Sequence, residues 1–156
     1  FVALCAERSD GMEVIMKNQY DIENNIAQVL NLIGDRWSLL ILFKIYKGNN
    51  TYNSIQKSLG KIPTNLLAER LKSLEVDDLI KAEKYEDHPP RYRYSLTESG
   101  SDLKDVFRSL SIWGQKHLYE SYSNYVHSDC GHEIEICYYC PECNEVISEE
   151  DITEEE

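Results

Sequence analysis

Residues 51–75 read TYNSIQKSLGKIPTNLLAERLKSLE, and this stretch decides the fold. Its first part, Thr51–Leu59, predicts a short helix, because Thr51 can accept a hydrogen bond from a backbone N–H group of the first turn. A turn follows at Gly60, and Pro63 suits the first position of the next helix. Two short helices joined by a glycine-containing turn predict a helix-turn-helix. The second helix carries an apolar stripe at helical spacing, formed by Leu66, Leu67, Leu71 and Leu74.

Two more helices are predicted before this stretch. Apolar residues recur at helical spacing from Asp21, and the pattern stops at Gly34. Asp35 can cap the second helix, which is apolar nearly all round up to the break at residues 48–50. An all-round apolar helix belongs in the interior, so we expect it at the buried centre of the domain, with Trp37 in the core.

After residue 75 the apolar residues no longer recur at helical spacing. Residues 79–85 and 91–96 predict two strands, and residues 86–90, with two adjacent prolines, predict the turn between them. Thr97 then caps a last long helix that runs to about Tyr122. A helix-turn-helix followed by a β-hairpin is the order of a winged helix. We therefore predict a mainly α-helical fold with a small β-hairpin over residues 21–122.

The charge of the chain is unevenly distributed. The formal net charge is −12, yet residues 36–72 carry seven basic side chains and one acidic one. Residues 129–156 carry eleven acidic side chains and no basic one. A surface that binds DNA needs a local positive potential, not a positive total. We therefore expect double-stranded DNA as the partner of the helix-turn-helix. The alternative is a winged helix that binds protein through its acidic surfaces.

Three blocks of the sequence resemble the HxlR-type winged-helix transcription regulators, which are MarR-like. Residues 30–42 (LNLIGDRWSLLIL) are similar to the opening signature of that family, residues 66–75 (LLAERLKSLE) to its recognition helix, and residues 89–97 (PPRYRYSLT) to its wing. The blocks stand in the family's order. The resemblance implies a homodimeric transcription regulator that binds a palindromic operator.

The resemblance also has one departure. Many family members carry a Cys-Pro pair at the start of the first core helix, and in some of them that cysteine is a redox sensor. Asn24 and Asn25 stand at the matching positions here. A thiol switch at that site is therefore excluded.

The second helix of the motif should enter the major groove, with its N-terminal residues nearest the base edges. Asn65 can pair with adenine and Arg70 with guanine, each worth about 1–3 kcal/mol of discrimination. The plainer interpretation is that Arg70 forms a surface ion pair and that the wing arginines cover the sheet edge. Phosphate contacts are expected from the start of the first helix, and backbone or minor-groove contacts from the wing. The predicted DNA contacts are Thr51, Asn53, Thr64, Asn65, Ala68, Glu69, Arg70, Lys72, Arg91 and Arg93.

The last predicted helix has more apolar surface than one small domain needs to cover. We assign it, together with the first helix, to a two-fold dimer interface. The alternative is that it closes the core of the monomer. The residues of this face are Leu103, Val106, Phe107, Leu110 and Trp113.

Four of the five cysteines lie between residues 130 and 143. His127 and Cys130 stand three residues apart, as do Cys140 and Cys143, and this spacing lets two side chains of a turn converge on one ion. We predict a structural zinc site of these four residues in a zinc-ribbon-like extension, residues 123–147. His132 or Cys137 competes for the fourth place. The alternative is a redox-active or reduced thiol cluster that acts as a thiol or metal sensor.

The rest of the sequence limits the remaining classes. It contains no apolar run of about 18 residues, so no membrane partner is expected, and residues 1–6 lack the features of a signal peptide. We expect a cytoplasmic protein that is not an enzyme, with an unidentified small-molecule or redox effector. Residues 1–20 are predicted to be an N-terminal extension that is either non-native or disordered, and residues 148–156 an acidic tail without regular structure.

Overall fold

The computed structural model describes residues 20–154. Residues 1–19, which hold Cys5 and nearly all of the predicted N-terminal extension, lie outside the described residues, as do residues 155–156. The described chain contains four helices, a β-hairpin, two further helices, a second short hairpin and a 3₁₀ turn, in that order. This order confirms the mainly helical winged fold. We call residues 25–117 the winged-helix body and residues 118–154 the C-terminal segment.

Helix α1 (Asn25–Ile33) begins four residues after the predicted start at Asp21. The reason is Asn24, whose backbone is extended and whose side-chain Oδ1 caps the helix. It accepts the N–H of Ile26 at 2.8 Å and that of Ala27 at 3.3 Å. Asn24 therefore has a structural role as the N-cap of α1.

Helix α2 (Ser38–Tyr46) starts after a turn that Asp35 holds. The N-cap position is Trp37, two residues after the predicted cap Asp35, but the Asp35 carboxylate still accepts the backbone N–H groups of Trp37 and Ser38 at 2.9 and 3.2 Å. Ile41 and Leu42 are fully buried, as expected for a central helix, but Leu40 on another face is 44% exposed. Trp37 is half-buried and packs against the core.

The helix-turn-helix consists of α3 (Tyr52–Leu59) and α4 (Thr64–Val76). Thr51 caps α3 as predicted: it accepts the Ser54 N–H at 3.2 Å, and Ser54 in return accepts the Thr51 N–H at 3.0 Å. Pro63 precedes α4 as its N-cap in extended backbone, so the prediction that it opens the helix is wrong by one position. The cores of α2, α3, α4 and β1 meet in one cluster, whose most buried side chains are Ile41, Leu42, Ile55, Leu67, Leu74 and Ile80.

The wing is an antiparallel pair, β1 (Ile80–Asp87) and β2 (Pro90–Leu96). It is longer than predicted, because Glu86, Asp87 and Pro90 are strand residues and not turn residues. Pro90 is tolerated because it pairs with Asp87 at the end of the ladder, where a missing N–H breaks no interior bond. The wing is joined to the helix-turn-helix, since the Tyr94 N–H donates to the Asn50 carbonyl at 2.7 Å.

The predicted last helix is two helices, α5 (Glu98–Asp102) and α6 (Lys104–His117). Thr97 caps α5 as predicted, with the Gly100 N–H at 3.0 Å from its hydroxyl. The break lies at Leu103, and α6 ends at His117, so the expectation of one helix to Tyr122 is wrong. Gly100 lets α5 lie close to the backbone just before β1, because a Cβ at this position would be 2.0 Å from the Leu79 carbonyl oxygen.

The C-terminal segment contains one small hairpin, β3 (Tyr138–Cys140) with β4 (Glu145–Ile147). Residues 134–137, between the two pairs of predicted ligands, lie in no strand, and Glu133 before them forms an isolated bridge with Val126. The prediction of an acidic tail without regular structure is wrong at residues 149–151, which form a 3₁₀ turn. Gln115 of α6 joins the segment to the body by donating to Glu133 at 2.8 Å.

Within residues 20–154, no single helix is long and apolar enough to cross a membrane. Helices α1 and α2 reach that length and composition only as a pair, bent by 79° at the break between them.

Candidate nucleic-acid interface

Helix α4 has one buried and one exposed face. Leu67, Leu71 and Leu74 of the predicted stripe are buried, and Leu66 is half-buried. The hydroxyl of Tyr52 in α3 donates to the Thr64 carbonyl at 2.7 Å, which fixes the start of α4 against α3. The predicted outward positions are all exposed: Thr64, Asn65, Ala68, Glu69 and Lys72.

Arg70 lies on the flank of α4 and is held by neighbouring carboxylates. Its Nε is 3.2 Å from Asp35 Oδ1, and its Nη1 is 3.8 Å from Glu69. The Nε atom is buried without a hydrogen-bond partner among the described atoms, so the contact with Asp35 is an ion pair and not an aligned hydrogen bond. The contact ties the recognition helix to the turn between α1 and α2. A guanine contact by Arg70 stays a prediction.

The start of α3 carries the two predicted phosphate contacts. Asn53 is exposed, whereas Thr51 is half-buried and its hydroxyl is engaged with Ser54. Two basic residues that the predicted set of contacts omits lie close by. Lys57 is exposed in the last turn of α3, and Lys61 is exposed in the turn before α4. The sequence could have indicated both residues as phosphate contacts, because both belong to the basic block at residues 36–72.

The wing arginines are exposed but have partners within the wing. Arg91 Nε lies 3.2 Å from Glu86 Oε2, and the Arg93 guanidinium lies 5.4 Å from the centre of the Tyr85 ring. Arg93 also forms a β-bridge with Thr51, which places the wing beside the start of α3. Wing and helix-turn-helix thus present their basic residues on neighbouring elements.

The predicted metal ligands are arranged as two pairs. His127 Nδ1 lies 3.2 Å from Cys130 Sγ, while Cys140 and Cys143 lie at the turn between β3 and β4. The pKa of the Cys140 thiol is lowered, chiefly because its sulfur is hydrogen-bonded by the backbone of Cys143, then by the Cys143 side chain and the backbone of Glu142. In residues 20–154, no three His, Cys, Asp or Glu side chains converge on one point where an ion could bind. Zinc binding therefore stays a prediction.

Most of the winged-helix body matches a known protein family. Residues 32–122 match the family model described as HxlR-like helix-turn-helix. An HTH-type transcriptional regulator of Mycobacterium tuberculosis is 31% identical over 134 residues, which is 84% of this chain and 84% of that protein.

Two solved structures of transcription regulators are similar to this chain. The crystal structure of PA1607, described as a transcription factor, has a TM-score of 0.71 at 27% identity and covers 86% of this chain and 96% of its own. The reduced form of the transcriptional regulator YodB from B. subtilis has a TM-score of 0.53 at 27% identity, with 63% of this chain and 97% of its own covered. These likenesses are to transcriptional regulators and not to a class of enzymes. The match over residues 32–122, with a helix-turn-helix and wing in the order described above, shows that the chain belongs to the HxlR-like helix-turn-helix family.

Proposed function

We propose that the protein is a sequence-specific transcription regulator that binds a palindromic operator as a homodimer. One observation carries the proposal: α4 buries its leucine stripe and exposes Asn65 and Lys72 within the basic block of the chain. Such a helix can enter the major groove without any change in the core. The wing lies beside α3 and would follow the backbone or the minor groove of the same half-site.

The dimer is supported by apolar residues that are exposed in the described part of the single chain. On α1, Ile26 is 69% exposed, and on α6, Leu110 and Trp113 are 51% and 58% exposed. Phe107, the inward residue of α6, is only 3% exposed and packs edge-on to Phe43. The monomer core thus uses one side of α6 and leaves the other available. A second copy that covers α1 and α6 would set two recognition helices about 34 Å apart, one turn of DNA.

A salt titration of DNA binding tests this function. The operator is first selected from a random duplex library, and its affinity is then measured by fluorescence anisotropy over a range of salt concentrations. Binding through phosphates should weaken with a log–log slope of about −0.9 per phosphate neutralised. We expect a steep slope and a stoichiometry of two chains per duplex. Selection of no sequence, or an affinity independent of salt, contradicts the proposal.

A further inference from the structure

The C-terminal segment contains two turns of the same design. In the first turn the Gly131 N–H donates to the His127 carbonyl at 2.8 Å, and the His127 N–H donates to the His132 carbonyl at 2.8 Å. The second turn joins β3 to β4 and holds Cys140 and Cys143. Each turn lies between antiparallel partners and presents two soft ligands three residues apart.

Both turns close with a residue in the left-handed region. Gly131, directly after Cys130, has φ +72°, and Asn144, directly after Cys143, has φ +57°. A positive φ is uncommon for a residue other than glycine, and asparagine is among those that tolerate it. The Tyr139 hydroxyl donates to the Asn144 side chain and so fixes the second turn. The backbone therefore bends at the same place after each pair of ligands.

The ligand separation in the first turn suits a zinc ion. Zn–S bonds of about 2.3 Å and Zn–N bonds of about 2.0–2.1 Å at a tetrahedral angle place the two ligand atoms about 3.6 Å apart. His127 Nδ1 and Cys130 Sγ are 3.2 Å apart, so a small opening of the pair would admit the ion. In the second turn Cys140 and Cys143 stand at the two ends of the turn between β3 and β4, with the same three-residue spacing as the first pair.

We propose that His127, Cys130, Cys140 and Cys143 together bind one structural Zn²⁺ ion. The structure forms each pair separately, and the link between them, residues 134–137, has no strand partner among the described residues. Binding brings the second turn onto the first around the ion. His132 and Cys137 belong to neither pair and are not ligands.

Proton balance and charge follow from this ligand set. Three thiols bind as thiolates and release three protons to the solvent, while His127 binds in its neutral form through Nδ1. One Zn²⁺ with three thiolates leaves the shell with a net charge of −1. Residues 129–156 carry eleven acidic side chains and no basic one, so their field attracts a divalent cation to the segment. This charge supports the site but supplies none of its ligands.

Metal analysis of the full-length chain tests the proposal independently of DNA binding. We expect one zinc per chain by atomic emission spectrometry. Added Co²⁺ should give the intense visible absorption of a tetrahedral thiolate site. Cys140→Ser/Cys143→Ser should lose the metal, and so should Cys130→Ser. The matched control Cys137→Ser, three residues before Cys140, should keep one zinc per chain. The helical circular dichroism signal of each variant, which comes mainly from the winged-helix body, should match that of the parent chain and so show that the variant is folded.

Three results would overturn the proposal. One is a folded chain that holds no zinc and takes up none when Zn²⁺ is added. Another is a Cys140→Ser/Cys143→Ser variant that still binds one ion per chain, or a Cys137→Ser variant that has lost it. The last is a purified chain in which Cys140 and Cys143 form a disulfide that Zn²⁺ does not replace after reduction, since that marks a thiol switch instead.

Discussion

The winged-helix body and the C-terminal segment differ in how many of their residues are buried. The body buries thirteen hydrophobic residues, and their side chains come from α1 to α4, α6, the wing and the connecting turns. In the C-terminal segment every residue is exposed except Tyr125, Cys140 and Ile147, which are half-buried. A segment as short as this one, which has no buried core, needs another source of stability, such as a metal ion. Apolar patterning therefore specifies the body, whereas the proposed zinc site would stabilise the segment.

Metal removal should separate the two regions most strongly. With a tight zinc chelator, we expect the backbone amides of residues 125–147 to lose their protection from hydrogen exchange, while α2, α3 and α4 keep theirs. Hydrogen exchange followed by mass spectrometry measures both regions in one experiment. In Cys140→Ser/Cys143→Ser the chelator should have no further effect. Equal loss in both regions would contradict the division.

A large-to-small change in the core should destabilise the body by several kilocalories. Leu67 is fully buried, so Leu67→Ala should lower the free energy of unfolding by about 2–5 kcal/mol. Urea denaturation followed by circular dichroism gives this value. Ile136, 51% exposed in the C-terminal segment, is the matched control, and Ile136→Ala should cost no more than about 0.5 kcal/mol. Similar losses for the two variants would show that the segment has a core of its own.

Loss of a base contact should affect DNA binding and leave stability unchanged. Asn65→Ala should weaken operator binding by about 1–3 kcal/mol and relax the preference at one A·T pair. Anisotropy titrations with operators altered at single positions measure both effects. Asn124→Ala, an exposed asparagine in the C-terminal segment, should bind as the parent chain does. An unchanged affinity for Asn65→Ala would move the major-groove contact to another part of α4.

The smallest effect is expected from the ion pair of Asp35 and Arg70. Both side chains are about a quarter exposed, so their coupling in a double-mutant cycle should contribute about 0.2–1 kcal/mol to stability. DNA binding of the two single variants then separates two roles for Arg70. If Arg70 reads guanine, only Arg70→Ala weakens binding. If it only positions α4, Asp35→Ala weakens binding as much.

The sequence predicted those parts of the fold that depend on near neighbours. Thr51 is the expected cap of α3, and Asp35 accepts the N–H of the first residue of α2, because such bonds need only the next three residues. The break at Leu103 could not be predicted, since Leu103 fits the helical stripe of apolar residues. The close approach of Gly100 to Leu79 was not predictable either, because the two residues are about 20 positions apart.

The same limit applies to the candidate sites. The spacing of residues in α4 was enough to predict its exposed face. The partner of Arg70 was not predictable, because Asp35 lies in another turn and no local pattern joins the two. In the C-terminal segment the three-residue spacing predicted each ligand pair. Whether the pairs meet depends on contacts between distant residues.

The hydrogen bond from Tyr94 to Asn50 and the bridge between Thr51 and Arg93 have a further consequence. They join the wing to the start of α3, so the wing cannot swing freely relative to α4. In the proposed complex the distance between α4 in the major groove and the wing on the DNA backbone or minor groove would therefore be fixed by the protein. The DNA, and not the protein, would have to bend or narrow to fit. Operators should then differ in affinity through the stiffness of base pairs that no side chain touches.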